Sequence, residues 1–260
     1  MYDFSKFTLG EMTECGVTLR KLGVGESSME AVANKIVRYF HTQFLDPNTG
    51  KSALALVRFF KTHSYRNLPI ELRQIADQTL GYCPTQDELK CLTLLATAGD
   101  RPEWNERTAS LCHQVIPLPS EHIVAQAPMI SQLIKQLGLS ISDVIAPDSD
   151  LLVDLHERTY SVFHVPEAQG SPYIPAQNEF VRPHQIRSVL GFGGILPSGN
   201  LMVIVLFSKL KISREVAELF RPLSLNAKMT VLPFGPENTF ESIGFRALFG
   251  SAQQQDAYLR

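Results

Sequence analysis

Polar side chains that interrupt apolar stretches are the residues of this 260-residue chain best suited to chemistry. Arg58 follows five apolar residues and precedes two phenylalanines. A buried guanidinium needs partners. We therefore expect Arg58 either to clamp an anion or a carboxylate in a pocket, or to form an internal ion pair or reach the sheet edge.

Four further residues complete the predicted ligand site. His113 is one of them, and it follows a short segment whose structure the sequence does not predict. Alternation over residues 159–165 predicts a strand with Tyr160 and His164 on one face. His164 would either donate to a ligand or cap a neighbouring carbonyl. Tyr173 lies in a long loop rich in Pro, Gly and Gln, where its ring suits either a lid or a loop anchor.

Known catalytic signatures are absent from the sequence. It contains no phosphate-binding loop and no nucleophile elbow, and its Gly-rich stretch at residues 191–194 lacks the full dinucleotide fingerprint. Adjacent Cys112 and His113 would point to opposite faces of a strand, which disfavours a nucleophile–base pair. We therefore predict that the chain is not an enzyme. The alternative is an unrecognised active site that uses Arg58, His113 and His164.

Metal and cofactor signals are weak. Cys91, Cys112, His113 and His122 lack the two close-spaced pairs of a structural zinc site, so no metal is expected. A haem needs only one axial His or Cys ligand, so the seven histidines leave haem open, although the Cys-x-x-Cys-His attachment motif is absent.

Composition restricts the partners and the compartment. The formal net charge is −2, so no global field attracts nucleic acid, and no run of eighteen apolar residues would span a membrane. Residues 1–10 do not read as a signal peptide. We therefore expect a cytoplasmic protein with four reduced cysteines: Cys15, Cys83, Cys91 and Cys112.

Two apolar runs joined by four turn-forming residues, 197–200, predict a β-hairpin over residues 186–207. A closing helix is expected to start at Ser213 and to stop at Pro233. Near the N-terminus, Ser27 and Glu30 have the spacing of a capping box. The predicted order is helix, strand, helix, strand, helical insertion, three strands and helix. That order favours an α+β fold, an antiparallel sheet with helices packed on one face, loops on the other, and extra helical insertions.

Strand, polar turn, strand and long closing helix resemble the C-terminal half of a GAF domain. More narrowly, the chain resembles the N-terminal sensory region of bacterial multidomain signalling proteins of the histidine kinase or cyclase type. Four segments carry this resemblance: residues 15–23, 56–63, 91–100 and 171–177. The resemblance implies a GAF-like fold with a small-molecule pocket between the sheet and the covering loops.

The resulting expectation is a cytoplasmic sensory or regulatory domain of a two-component type of system. Residues 1–234 would form the GAF-like domain, and residues 235–260 a linker or helical tail towards an output module. A small-molecule ligand at Arg58, His113, Tyr160, His164 and Tyr173 would shift the C-terminal helix and so signal to an output domain in cis or in trans. We expect a homodimer that binds neither nucleic acid nor membrane. The alternative is a structural dimerisation module with no ligand.

Overall fold

A six-stranded antiparallel sheet organises the chain in the computed structural model, which describes residues 1–85, 88–110, 113–147 and 161–241. Its strand order is β5-β4-β3-β8-β7-β6, and β1 and β2 form a separate parallel pair. The strands are β1 (Tyr2–Asp3), β2 (Phe44–Leu45), β3 (Leu54–Ser64), β4 (Lys90–Gly99), β5 (Val115–Pro117), β6 (Phe163–Val165), β7 (Ser188–Ile195) and β8 (Leu201–Ser208).

Helices cover both faces of this sheet. We call the side packed against α1, α2, α7 and α8 the helix face, and the side packed against α4, α5, α6 and the loop after β6 the loop face. The α3 helix packs beside β5. The helices are α1 (Leu9–Lys21), α2 (Met29–Gln43), α3 (Ile70–Leu80), α4 (Glu121–Ala125), α5 (Pro128–Gln136), α6 (Ile141–Ile145), α7 (Arg214–Glu218) and α8 (Phe220–Val231).

The two central strands, β3 and β8, are almost wholly buried because both of their faces are covered. The predicted hairpin is present as β7 and β8. A Cβ atom on Gly193 would overlap the carbonyl oxygen of Met202, so close backbone approach explains that glycine. The α+β prediction, with an antiparallel sheet and a helical insertion, is confirmed.

The structure differs from the sequence-based expectation at several helices. A capped helix, α1, occupies residues that carried no clear periodic signal. The inserted helix around residues 120–137 is divided into α4 and α5, because Pro128 has no backbone N–H to continue a helix and begins a new one. The closing helix is likewise divided at Leu219, and Pro222 then lies in the first turn of α8.

Two other features of the fold bear on the earlier expectations. None of the described helices combines the length and apolar character needed to cross a membrane. Residues 148–160, which include part of the predicted helical insertion, and the predicted tail beyond residue 241 lie outside the described residues. The predicted boundary between residues 234 and 235 stays a prediction.

Candidate functional site

Arg58 lies at the centre of the sheet. It pairs in register with Thr97 of β4 and Val205 of β8. Its neighbours Leu56 and Phe60, which share its face of β3, pack in the loop-face core, so its side chain also points to the loop face. The side chain is partly buried, and its guanidinium donates to Ser110 Oγ at 3.4 Å.

Thr97 supplies a second polar group beside Arg58. It lies between Ala96 and Ala98, which pack on the helix face, so the Thr97 side chain points to the loop face. It is 1% exposed, and its hydroxyl has no hydrogen-bond partner among the described residues. An unsatisfied buried hydroxyl is costly. Such a group beside a guanidinium suggests that a ligand supplies the missing hydrogen bond.

Thr97 was missed by the sequence analysis, although the signal was available. It interrupts an apolar run of β4 as Arg58 interrupts one of β3. Ser110 was also missed, and no comparable local signal marks it. It is buried, and it is brought to Arg58 by a loop 52 residues away along the chain.

His113 lies close enough to Arg58 for their charges to interact. Desolvation by the surrounding protein, followed by the positive charge of Arg58, lowers the pKa of His113, although the residue is exposed overall. Its backbone adopts φ 66°, a left-handed conformation that is uncommon for a non-glycine residue. We call Arg58, Thr97, Ser110 and His113 the Arg58 site. It places a permanent cation and hydroxyl groups on the loop face, with a neutral imidazole near the cation.

Two amide side chains hold the loop between β4 and β5, which carries Ser110. Asn105 bonds to the end of β4, accepting from the Gly99 N–H at 3.2 Å and donating to the Gly99 carbonyl at 3.0 Å. Gln114 donates to the carbonyl of Ser110 at 2.7 Å. Both amide side chains satisfy backbone groups that the loop would otherwise leave unpaired.

An aromatic cluster borders the same face of the sheet. The ring centroids of Trp104 and His184 are 4.5 Å apart, and those of Phe180 and Phe207 are 5.0 Å apart. Phe207 pairs with Leu56, two residues before Arg58 on β3. This cluster therefore forms an apolar wall near the Arg58 site.

His164 and Tyr173 lie in a different place. Both line a shallow cleft of about 330 Å³ at the edge of the sheet. His164 Nε2 lies 3.0 Å from the carbonyl oxygen of Ile212, so the ring donates to that carbonyl, which is the capping role expected as the alternative. Burial is the main cause that lowers the pKa of His164. Tyr173 is 39% exposed.

The five predicted ligand-binding residues therefore do not form one site. Arg58 and His113 are together, whereas His164 lies three strands away, about 14 Å at ordinary strand spacing. The partners of His164 and Arg58 in the sheet, Leu190 and Val205, pack on opposite faces, so the two side chains project in opposite directions. The alternative active site of Arg58, His113 and His164 is not assembled. Tyr160 lies outside the described residues, and the ligand-binding roles stay predictions.

The structure also shows how the C-terminal segment docks. Glu30 is 1% exposed, and its carboxylate pairs with Arg107 at 3.1 Å and accepts from the Glu241 N–H at 3.1 Å. The Glu30 N–H donates to the Thr239 carbonyl at 2.9 Å. The predicted capping box is therefore wrong, because Ser28 caps α2 and Glu30 binds these groups from elsewhere in the chain.

Metal ligands do not converge in the part of the chain that the structure describes. No three side chains of His, Cys, Asp or Glu there lie close enough to hold an ion. Cys112, which was considered with His113 in the sequence, lies outside the described residues.

This strand order and these two covered faces define an α+β domain built on a six-stranded antiparallel sheet. No protein-family model matches the chain, and no curated protein sequence matches it. Among solved structures, the chain is similar to the free methionine-R-sulfoxide reductase of Neisseria meningitidis in complex with its substrate. The two are 11% identical, with a TM-score of 0.48, and the match covers 89% of this chain and 94% of that one.

That similar protein is an enzyme, which corrects one expectation. The prediction that this chain is not an enzyme rested on absent motifs, and this finding contradicts it. At this identity and TM-score the likeness assigns no reaction and no substrate to the chain.

Proposed function

We propose that this GAF-like domain binds a small carboxylate-bearing molecule at the Arg58 site. The observation that carries the proposal is the buried Thr97 hydroxyl, which has no hydrogen-bond partner among the described residues and lies on the same face of the sheet as Arg58, its partner in register on β3. A carboxylate is the anion that a guanidinium holds best, because two parallel N–H donors match its two oxygens. The Thr97 and Ser110 hydroxyls would complete its hydrogen bonds.

Binding would be passed on through the loop that carries Ser110. Arg107 lies on the same loop, three residues earlier, and pairs with Glu30, which holds Glu241. A ligand that favours one position of Ser110 would therefore favour one arrangement of the C-terminal segment, which is a population shift. This is the route by which a sensory domain of the bacterial two-component type would reach an output domain, in cis or in trans.

The exposed side of α8 supports a homodimer within this proposal. Leu225, Met229 and Leu232 are all exposed, and their spacing of four and three residues is that of a coiled-coil seam. A second copy that covered these side chains would extend the signal route from one C-terminal segment to the other.

The first experiment is native mass spectrometry and an absorption spectrum of freshly purified protein, which report a retained ligand or a haem. Thermal unfolding with a panel of small mono- and dicarboxylates then identifies a ligand class. The same mixtures are analysed for products, because binding and turnover both begin from an occupied site.

Two Arg58 variants test the site. Arg58→Gln removes the charge, so we expect this variant to lose carboxylate binding. Arg58→Lys keeps the charge without the two parallel N–H donors, so we expect its affinity for the carboxylate to fall about tenfold. Arg66→Gln is the matched control, since Arg66 is 56% exposed in a surface ion pair with Glu88. The proposal is wrong if no carboxylate in the panel binds, or if Arg58→Gln binds as the wild type does.

A further inference from the structure

The helix face of β3 carries a second polar pair, Lys61 and His63. Both residues are 4% exposed, and Lys61 Nζ lies 3.1 Å from His63 Nε2. His63 Nδ1 is buried with no hydrogen-bond partner among the described residues. Lys61 comes three residues after Arg58 on β3, and successive side chains of a strand point to opposite faces, so the two side chains lie on opposite faces of the sheet. The pair is therefore separate from the Arg58 site.

No carboxylate of the described residues forms an ion pair with Lys61. The group facing it from β4 in register is Thr93. The nearby charged group is Lys90, and Cys91 faces His63. An unpaired buried charge is costly, and such groups become neutral instead.

Burial, and then the positive charge of Lys90, lower the pKa of Lys61 to about 8. About one Lys61 side chain in ten then carries a free amine at pH 7, against fewer than about one in a thousand for an ordinary lysine. Burial is also the main cause that holds the pKa of His63 well below its usual value, so His63 is neutral and its Nε2 can accept a hydrogen bond from the Lys61 amine.

Phe240 packs against the His63 side of this pair. Its ring centroid lies 5.3 Å from that of His63, and it packs against both the helix-face core and the cluster around α3. The pair is buried and no anion is paired with Lys61 among the described residues, so an uncharged molecule would enter at the least desolvation cost, and a small one would displace the least of the covering segment.

We propose that the Lys61 amine is a carbamylation site for dissolved carbon dioxide. The amine nitrogen forms a bond to the carbon, one C=O π pair moves to oxygen, and a proton leaves the nitrogen for His63 Nε2. The product is a carbamate anion paired with an imidazolium cation, so the net charge of the pair does not change. The positive charge of Lys90 also favours an anion here, and the reverse steps release carbon dioxide.

The test is chemical trapping on the full chain. The protein is equilibrated at neutral pH with ¹³C-labelled carbon dioxide, treated with triethyloxonium ion to ethylate carbamates, digested and analysed by mass spectrometry. We expect the labelled ethyl carbamate to occupy Lys61 at least about tenfold more than Lys35 or Lys211, because a larger fraction of Lys61 side chains carries a free amine. These two lysines are internal controls, being 47% and 60% exposed in surface ion pairs.

Two variants complete the test. Lys61→Arg has no comparable nucleophilic amine and should lose the label at that position. His63→Gln keeps a polar side chain without a comparable base and should lower the occupancy at Lys61. Label on Lys61 no greater than that on Lys35 and Lys211 overturns the proposal, and this comparison within one wild-type digest stands even if a variant fails to fold. Unchanged label in a folded His63→Gln protein overturns the role given to His63.

Discussion

Replacing Thr97 by valine tests the central observation directly. Leaving a buried hydroxyl without a partner costs about 1–3 kcal/mol, and valine replaces that hydroxyl by a methyl group of similar size. We therefore expect Thr97→Val to stabilise the ligand-free protein by about 1 kcal/mol. In a domain of this size, that change raises the midpoint of thermal unfolding by about 2–4 °C.

The chain offers a matched control four residues earlier. Thr93 lies on the same strand, is as deeply buried and points to the opposite face, but its hydroxyl donates to the Cys91 carbonyl at 3.3 Å. Thr93→Val loses that hydrogen bond and leaves the carbonyl short of a donor. It should therefore destabilise the protein by about 1 kcal/mol.

The assay is thermal and urea unfolding of both variants beside the wild type, with the denaturant slope compared to exclude a change in the unfolded state. A carboxylate that stabilises the wild type should bind Thr97→Val about fivefold more weakly, since about 1 kcal/mol of hydrogen bonding is lost. If Thr97→Val destabilises the protein as Thr93→Val does, the Thr97 hydroxyl has a partner in solution. The Arg58 site then loses its main support.

Three further predictions follow from other contacts. Glu30→Gln should destabilise the domain by about 3 kcal/mol in urea unfolding, because it leaves Arg107 without its buried anion. The control is Glu26→Gln, which removes a surface ion pair and should cost under about 1 kcal/mol. Equal losses of stability in the two variants would contradict the role of Glu30 in docking the C-terminal segment. The pKa of His63 is lowered in the folded state, which therefore holds this side chain neutral. Its contribution to the free energy of unfolding is complete above about pH 6.5 and is lost as the pH falls. Urea midpoints between pH 8 and pH 5 should therefore decline, and less so in His63→Gln; equal declines would show that His63 is not the cause. Met229→Glu should turn dimers into monomers in analytical ultracentrifugation without unfolding them, and an unchanged mass distribution would count against the α8 seam.

Local patterns predicted the elements that carry strong periodic or turn signals. The β7–β8 hairpin follows from two apolar runs around residues 197–200. The end of α3 at Gly81, with φ 76°, is a local signal of the same kind. The burial of β3 followed from its continuous apolar run. The α1 helix was missed because only three of its residues are buried, so its apolar stripe is faint.

The sequence by itself determined which residues were unusual for their surroundings: Arg58 and Thr97 are polar interruptions of apolar strands whatever the fold. Only the tertiary structure decided which of them meet. Strand β3 pairs with β4, which puts Arg58 beside Thr97 on one face and leaves Lys61 on the other. On its other edge β3 pairs with β8, about 150 residues later, and β7 and β6 follow, which keeps His164 out of reach. Side chains alternate between the two faces of a sheet. The pairing and register of strands that are distant in the sequence therefore fix which polar side chains become neighbours on each face.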